Sequence, residues 1–248
     1  MGKALLNVDH VYLRYHTPQG ETEALRDLCF RVEKGAFVAV VGPSGCGKTT
    51  VLSLIMGLNA PSAGEVTFPQ GPCPMGYMLQ RDNLLEWRTV EKNALLGLEV
   101  QHRLTDQSQK KTVALLKKYG LGDFLHSLPG ELSGGMRQKA ALIRTLALEP
   151  ELLLLDEPFS VLDDQTRLTL ADEVLSIIKA EGKTALLVTH DIGEAVSMAD
   201  RVLVFSDRPA RLKREIPIDF PADLSALGRR ETPAFQAYFG RIWKELRA

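Results

Sequence analysis

Residues 36–49, AFVAVVGPSGCGKT, decide how this chain folds. The first six are an unbroken apolar run, which suits a strand covered on both faces within a parallel sheet. The next eight, Gly42-Pro43-Ser44-Gly45-Cys46-Gly47-Lys48-Thr49, fit G-x-x-x-x-G-K-[ST], the spacing of a loop that cradles phosphates. TVLSLIMGL (50–58) follows as an apolar-rich helix stopped at Asn59-Ala60-Pro61. The strand, loop and helix together make the motif chemically meaningful. Glycines let successive backbone N–H groups turn toward the phosphates, and the helix N-terminus adds its positive dipole end. Lys48 is expected to reach the β- and γ-phosphates and the Thr49 hydroxyl to ligate Mg²⁺. Cys46, lying among amides that favour anions, is expected to be a reactive thiol that bound nucleotide protects.

Outward from this loop, ELLLLDE (151–157) is a second buried strand that ends in two acids. Its end places Asp156 at the carboxyl edge of the sheet, where ligands bind in open α/β folds. Asp156 is expected to hold Mg²⁺, and Glu157 to polarise an attacking water. TALLVTH (184–190) brings His190 to the same edge, within reach of a γ-phosphate or of that water. Gln80 follows Tyr77-Met78-Leu79, another strand end, where an amide could ligate Mg²⁺ or orient water. Leu132-Ser133-Gly134-Gly135-Met136 precedes a helical pattern, RQKAALIRTLAL. Ser133 is a good N-cap there, and the two glycines allow close backbone approach, so this is a second helix N-terminus suited to an anion.

Strand signals recur at 5–15, 28–32, 151–157, 184–190 and 201–206, and HTPQGETE (16–23) reads as a turn. The later strands alternate with helical patterns such as 167–180, which implies parallel βαβ units with helices on both faces. Residues 88–150 carry helix formers and few β-branched runs. The expected architecture is therefore α/β: a core with a mainly parallel sheet (1–87 and 151–215), an N-terminal antiparallel β portion, a helical insertion subdomain (88–150) and a short C-terminal tail (216–248), all within one domain.

Composition excludes several classes. The 248 residues carry 30 Lys+Arg against 31 Asp+Glu, a net charge of -1 that gives no basic footprint for nucleic acid. No stretch approaches the ~20 apolar residues that span a bilayer, and the N-terminus has no secretory apolar region. Three cysteines without metal spacing fit a reducing, cytosolic setting.

Taken in order, these pieces resemble the ATP-binding subunit of an ABC transporter over nearly the whole chain. Residues 42–49 match its Walker A motif, the Leu152–Asp156 stretch its Walker B, and Glu157 its catalytic glutamate. Gln80 matches the Q-loop glutamine, and LSGGM (132–136) the signature LSGGQ with Met136 in the last place. Ser160-Val161-Leu162-Asp163 matches the D-loop, usually SALD, and His190 the switch histidine. Tyr15 resembles the aromatic that stacks on adenine. The resemblance implies a P-loop NTPase fold and a nucleotide site of Tyr15, Gly42, Pro43, Ser44, Gly45, Cys46, Gly47, Lys48, Thr49 and Thr50. Ser133, Gly134, Gly135 and Asp163 would complete it, with Glu157, His190 and Gln80 catalytic and Thr49, Gln80 and Asp156 at the metal.

It further implies ATP and Mg²⁺ as cofactors and a head-to-tail homodimer with each ATP between one P-loop and the other chain's signature. The implied partners are a transmembrane permease and, for an importer, an extracytoplasmic solute-binding protein, with this chain on the cytoplasmic face of the membrane. MLQRDNLLEWRTVEKN (78–93) resembles the branch that imports nitrate, sulfonate, taurine and pyrimidine thiamine precursors, although Glu86 stands where that branch usually has proline. Leu84, Leu85, Trp87, Leu95 and Leu96 are expected to contribute to a groove for a permease helix. Two rivals share the P-loop. A DNA-repair or chromosome ATPase would carry a long coiled coil between Thr49 and Leu132, where no sustained heptads occur. A small-molecule kinase would have no need of LSGGM.

Overall fold

The computed structural model describes residues 2–18, 20–221 and 223–247. Along the chain, the strands are β1 Ala4–Thr17, β2 Gly20–Glu33, β3 Phe37–Val41, β4 Ala63–Thr67, β5 Met75–Met78, β6 Leu152–Asp156, β7 Thr184–Thr189, β8 Arg201–Phe205 and β9 Leu212–Pro217. The helices are α1 Lys48–Ile55, α2 Val90–Val100, α3 Asp106–Lys118, α4 Gly134–Leu146, α5 Asp164–Ala180, α6 Ile192–Met198, α7 Ala226–Arg230 and α8 Pro233–Arg247.

Two sheets form. The larger runs β5-β6-β7-β3-β8-β9, parallel except for β9 at its edge. The smaller is antiparallel, in the order β2-β1-β4. The alternation of the apolar runs explains the layering. In β3, Phe37, Ala39 and Val41 face one core, with Ile143 of α4, Val174 of α5 and Ile242 of α8, whereas Val38 and Val40 face a second core with α1 and the antiparallel sheet. β6 divides the same way, Leu153 and Leu155 to the first core and Leu152 and Leu154 to the second. A strand buried on both faces has no polar face to show, so its sequence reads as continuous aliphatics.

Three sequence expectations change. The segment 16–23 is not an open turn: β1 and β2 pair through it, with His16 opposite Glu21 and Tyr15 opposite Thr22, around a tip whose Gln19 lies outside the described residues. The paired ends of this hairpin are exposed and polar, which is why they read as loop. β4 escaped notice because AGEVT has no apolar run and its residues are largely exposed. The boundary at 215/216 falls inside β9, and the segment beyond it is integrated. Ile218, Ala226, Phe235 and Ile242 join the first core, while Ala222 and Ala248 lie outside the described residues.

Ile242 is fully buried, so Ile242→Ala should lower stability by about 2–5 kcal/mol. A urea midpoint within error of the parent would show that α8 is a dispensable appendage.

Candidate active site

The phosphate-type loop joins the end of β3 to the start of α1. Gly47 has φ 122°, and a Cβ there would stand 3.1 Å from Leu25 Cδ2 and 3.4 Å from the Ala24 carbonyl oxygen. Both the left-handed backbone and the crowding demand glycine. Ser44, Gly45 and Thr49 are exposed around the loop. Lys48 is 5% exposed, and its Nζ donates to the carbonyls of Gly42 (2.8 Å) and Pro43 (3.0 Å). Its charge thus lies across the loop.

Thr49 Oγ1 donates to Asp156 Oδ1 at 3.0 Å, and the Tyr77 hydroxyl donates to Asp156 Oδ2 at 2.9 Å. Burial pushes the Asp156 carboxyl up, while the two hydroxyls pull it back down. The Tyr77 hydroxyl is driven well above its usual range by burial and by Asp156. A carboxylate and a hydroxyl with oxygens this close are hard donors suited to Mg²⁺.

At Glu157 the strand ends abruptly. Its N–H still donates to the Val188 carbonyl (2.8 Å), but its φ is 46°, a left-handed backbone that costs a non-glycine residue about 1 kcal/mol or more. The turn sends the carboxylate to His190, with Oε2 3.0 Å from Nδ1. On the other side Gln80 Nε2 donates to Ser160 Oγ (3.1 Å), which donates to the Glu157 carbonyl (2.9 Å). One hydrogen-bond chain therefore joins Gln80, Ser160, Glu157 and His190.

Ser133 caps α4, accepting from the Met136 N–H at 3.3 Å. The glycines beside it serve packing. A Cβ on Gly134 would meet Leu162 Cδ2 at 2.9 Å, and one on Gly135 would meet Thr166 Cγ2 at 3.2 Å. The start of α4 is thereby pressed against the 162–166 turn, where Asp163 caps α5 by accepting from the Thr166 N–H (3.0 Å). That bond holds the Asp163 carboxyl below its usual value. Among the described residues no hydrogen bond or ion pair joins the 42–50 loop to Ser133, and the pocket at Ser133 is lined by α4 and α5 residues such as Met136, Lys139 and Thr166 and by none of that loop.

Several expected residues are placed differently. Cys46 is 1% exposed in the second core, and burial raises its thiol from the ordinary value against the opposing charge of Lys48, so it packs as a core side chain. The expectation of a reactive thiol fails because the helix-end amides cannot offset its desolvation. Gln80 turns to Ser160 and makes no bond to Thr49 or Asp156. Tyr15 is half-buried against the second core. Of the apolar residues after Gln80, Leu84 (6% exposed) and Leu95 (4%) are core, and Trp87 stands 76% exposed.

A sequence model of the ABC transporter family matches residues 25–160. The uncharacterized ABC transporter ATP-binding protein YtlC of Bacillus subtilis is 48% identical over 98% of this chain and 96% of its own length. This chain belongs to the ABC transporter family. The taurine import ATP-binding protein TauB of Yersinia pestis is 40% identical over 87% of the cassette and 85% of its own chain. Among solved structures, the dimeric cassette MJ0796 bound to ADP and Pi is 27% identical with a TM-score of 0.72, covering 88% of this chain and 100% of its own. CbiO1 of Clostridium perfringens, part of the ABC transporter complex cbiONQ, is 25% identical with a TM-score of 0.75, over 86% of this chain and 88% of its own. The chain is the ATP-binding, ATP-hydrolysing cassette of a transporter. Among the described residues no helix is long and apolar enough to cross a membrane.

The cassette holds functional residues that the sequence reading passed over. Arg137 Nε donates to Asp82 Oδ2 (3.2 Å), Gln138 Nε2 to the Gln80 carbonyl (3.4 Å), and Arg144 to the carbonyls of Asp82 and Asn83 (2.6 and 2.7 Å). The α4 helix thus grips the loop after β5. The signal was present in RQKAALIR, where Arg137 and Arg144 lie two turns apart on one face. Fully buried Asn93 ties the same loop to α2 through the Leu85 N–H and the carbonyls of Leu85, Arg88 and Thr89.

Behind His190, Thr189 Oγ1 donates to Glu194 Oε2 at 2.6 Å, and Asp191 Oδ1 caps α6 by accepting from the Glu194 N–H at 3.0 Å. Arg167 lies 3.7 Å from Asp191 and 3.9 Å from Glu194 and donates to the Leu162 carbonyl (2.9 Å), linking α5 to this corner. At the far end of α6, buried Arg229 donates to the carbonyls of Ser197 and Ala199. Burial is the main reason that Glu194 is pushed from 4.5 to about 7; Asp191 adds to the rise, and Thr189, Arg167 and His190 oppose it. Arg230 also faces this corner, where burial lowers its guanidinium from the ordinary value and Asp191 and Glu194 oppose that fall. The folded cassette keeps this proton where the unfolded chain has released it. Its contribution makes stability fall as pH rises from about 4.5 to about 7, and is level outside that window. Glu194→Gln should remove this slope from urea midpoints measured across the window, and an unchanged slope would assign it to another group.

Proposed function

We propose that this cassette is the ATP-hydrolysing subunit of an ABC importer, working as a head-to-tail homodimer on the cytoplasmic face of a membrane permease. The observation that carries the reading is the separation within one chain of two anion-suited helix ends, α1 behind the 42–47 loop and α4 behind Ser133. A nucleotide that uses both must lie between two copies. The dimeric MJ0796 cassette, similar over 88% of this chain, supports that arrangement.

In this reading the loop amides of residues 42–47, with Thr50 and the Tyr15 ring, hold ATP, and Lys48 swings from the Gly42 and Pro43 carbonyls to the phosphates. Thr49 and Asp156 would hold Mg²⁺, with Gln80 as a further oxygen donor. Bound there, Mg²⁺ supplies neutralisation of charge developing on the phosphate oxygens. Glu157 takes the proton of the attacking water, and His190 fixes its carboxylate through the 3.0 Å contact. Asp163, beside the start of α4, belongs to the surface facing the second copy. The likeness to TauB and residues 78–93 support an importer of small solutes such as nitrate, sulfonates, taurine or thiamine precursors, served by an extracytoplasmic binding protein.

Replacing the base tests this reading. Glu157→Gln should retain ATP affinity and lower hydrolysis by ~10²–10⁴-fold. ATP should shift that variant from monomer to dimer in light scattering, and Ser133→Arg should abolish the shift. Hydrolysis at the parent rate would show that Glu157 is not the base.

A groove of about 360 Å³ lined by Arg81, Asp82, Asn83, Leu84, Glu86 and Val161 is followed in sequence by exposed Trp87, and this segment is the proposed seat of a permease helix. Trp87→Ala should lose co-purification with the permease while keeping its thermal midpoint. An intact complex would remove the groove from consideration.

A further inference from the structure

The antiparallel sheet carries a second cluster of chemistry away from the phosphate loop. Between the pairs Val8–Phe30 and Val11–Leu28, two residues of β1, Asp9 and His10, stand opposite one residue of β2, Cys29. This is a β-bulge, a device that bends a strand and re-aims its side chains. His10 takes φ 46° and Asp27 takes φ 51°, both left-handed. β4 accommodates the bulge with Gly64, where a Cβ would lie 2.1 Å from the His10 carbonyl oxygen. Two strands thus accept an unfavourable backbone at one point, and a glycine on the third makes room for it. The result is that the Asp9 carboxylate, the His10 imidazole and the Cys29 thiol gather with ligand atoms all within 4.8 Å of one another.

We propose that Asp9, His10 and Cys29 form a binding site for one thiophilic divalent cation of the Zn²⁺ class. The donors set the class of ion. A thiolate, an imidazole and a carboxylate are Zn²⁺ ligands, whereas Mg²⁺ and Ca²⁺ prefer oxygen alone. The imidazole is already oriented for the task. His10 Nδ1 is 2.6 Å from Asp27 Oδ1, so Nε2 is the ring nitrogen that Asp27 leaves unengaged, the carboxylate–histidine arrangement found behind metal-bound histidines. Nε2 lies 3.9 Å from Asp9 Oδ1. Bonds of about 2.0–2.3 Å to one ion close that gap with a small rotation of two exposed side chains. The backbone N–H of His10 donates to Cys29 Sγ at 3.2 Å, which holds the sulfur beside the imidazole. Asp9 and Cys29 line a groove of about 590 Å³ together with Glu65, Glu215, Arg31 and Arg201, the two guanidiniums being paired with Glu33 and Glu215, so a hydrated ion has access and a water can fill the fourth position. The site differs in donor softness from Thr49 and Asp156, and the two should sort Zn²⁺ from Mg²⁺ within one chain.

Co²⁺ added to the untagged full chain, with Mg²⁺ and ATP present to occupy the phosphate site, is the probe. One equivalent should produce a thiolate-to-cobalt charge-transfer band that one equivalent of Zn²⁺ abolishes. Cys29→Ser and His10→Asn should lose the band; asparagine is chosen because it tolerates the left-handed backbone. Cys73→Ser should keep the band, and Asp27→Asn should weaken Co²⁺ affinity by about 10–100-fold. Absence of the band at equimolar Co²⁺, or its survival in Cys29→Ser or His10→Asn, would overturn the proposal.

Discussion

A buried carboxylate holds the catalytic edge of this cassette together. Asp156 is 6% exposed at the end of β6, and it takes one hydroxyl from the helix behind the phosphate-type loop and another from the neighbouring strand. Burying an acid is costly unless its oxygens are satisfied. Thr49 and Tyr77 satisfy them only if β3, β5 and β6 end at the same level. That requirement fixes the register of the sheet's carboxyl edge, and with it the positions of Glu157 and His190. The same pair of oxygens offers a divalent cation a hard, pre-oriented seat.

Around this point the cassette divides rigidity from adjustability. The sheet edge is locked by strand pairing. The loop after β5 is held at a distance, by Arg137, Gln138 and Arg144 of α4 and by Asn93 of α2. Any displacement of α4 therefore pulls on Gln80, which is hydrogen-bonded through Ser160 to the backbone of Glu157. The α4 helix, the loop at Gln80 and Glu157 form one connected path of bonds between side chains and carbonyls, laid over the core that Leu84, Leu142 and Phe159 share.

Legibility in the sequence followed the physics of each element. β3, β6 and β7 are buried on both faces and were readable as aliphatic runs, and the loop at 42–49 announced itself because phosphate binding needs glycine, lysine and a hydroxyl at fixed spacing. Asp156, Glu157 and His190 were placed at one edge because all three follow such strands. β4 and the outer hairpin were not readable, since their residues are polar and gain their order from cross-strand pairing. Tyr77 and Asn93 were missed for another reason: their roles depend on partners 79 and 8 residues away that only the fold brings near. Cys46 was misread because sequence shows its neighbours in the loop and not the depth at which it lies. The resemblance of LSGGM to the family signature singled out Ser133, Gly134 and Gly135, while their visible role, a helix cap and close packing on Leu162 and Thr166, is a matter of shape.

Arg229 gives the fold a temporal dimension. Its guanidinium closes the C-terminal end of α6, the helix whose opposite end is capped next to His190. A ribosome delivers residues 36–190 before it delivers residue 229, so the nascent chain can assemble its phosphate loop and sheet while α6 still lacks its last hydrogen bonds. During that interval the histidine corner rests on an unfinished helix. The helix behind His190 is therefore closed by a residue that the chain supplies well after His190 itself.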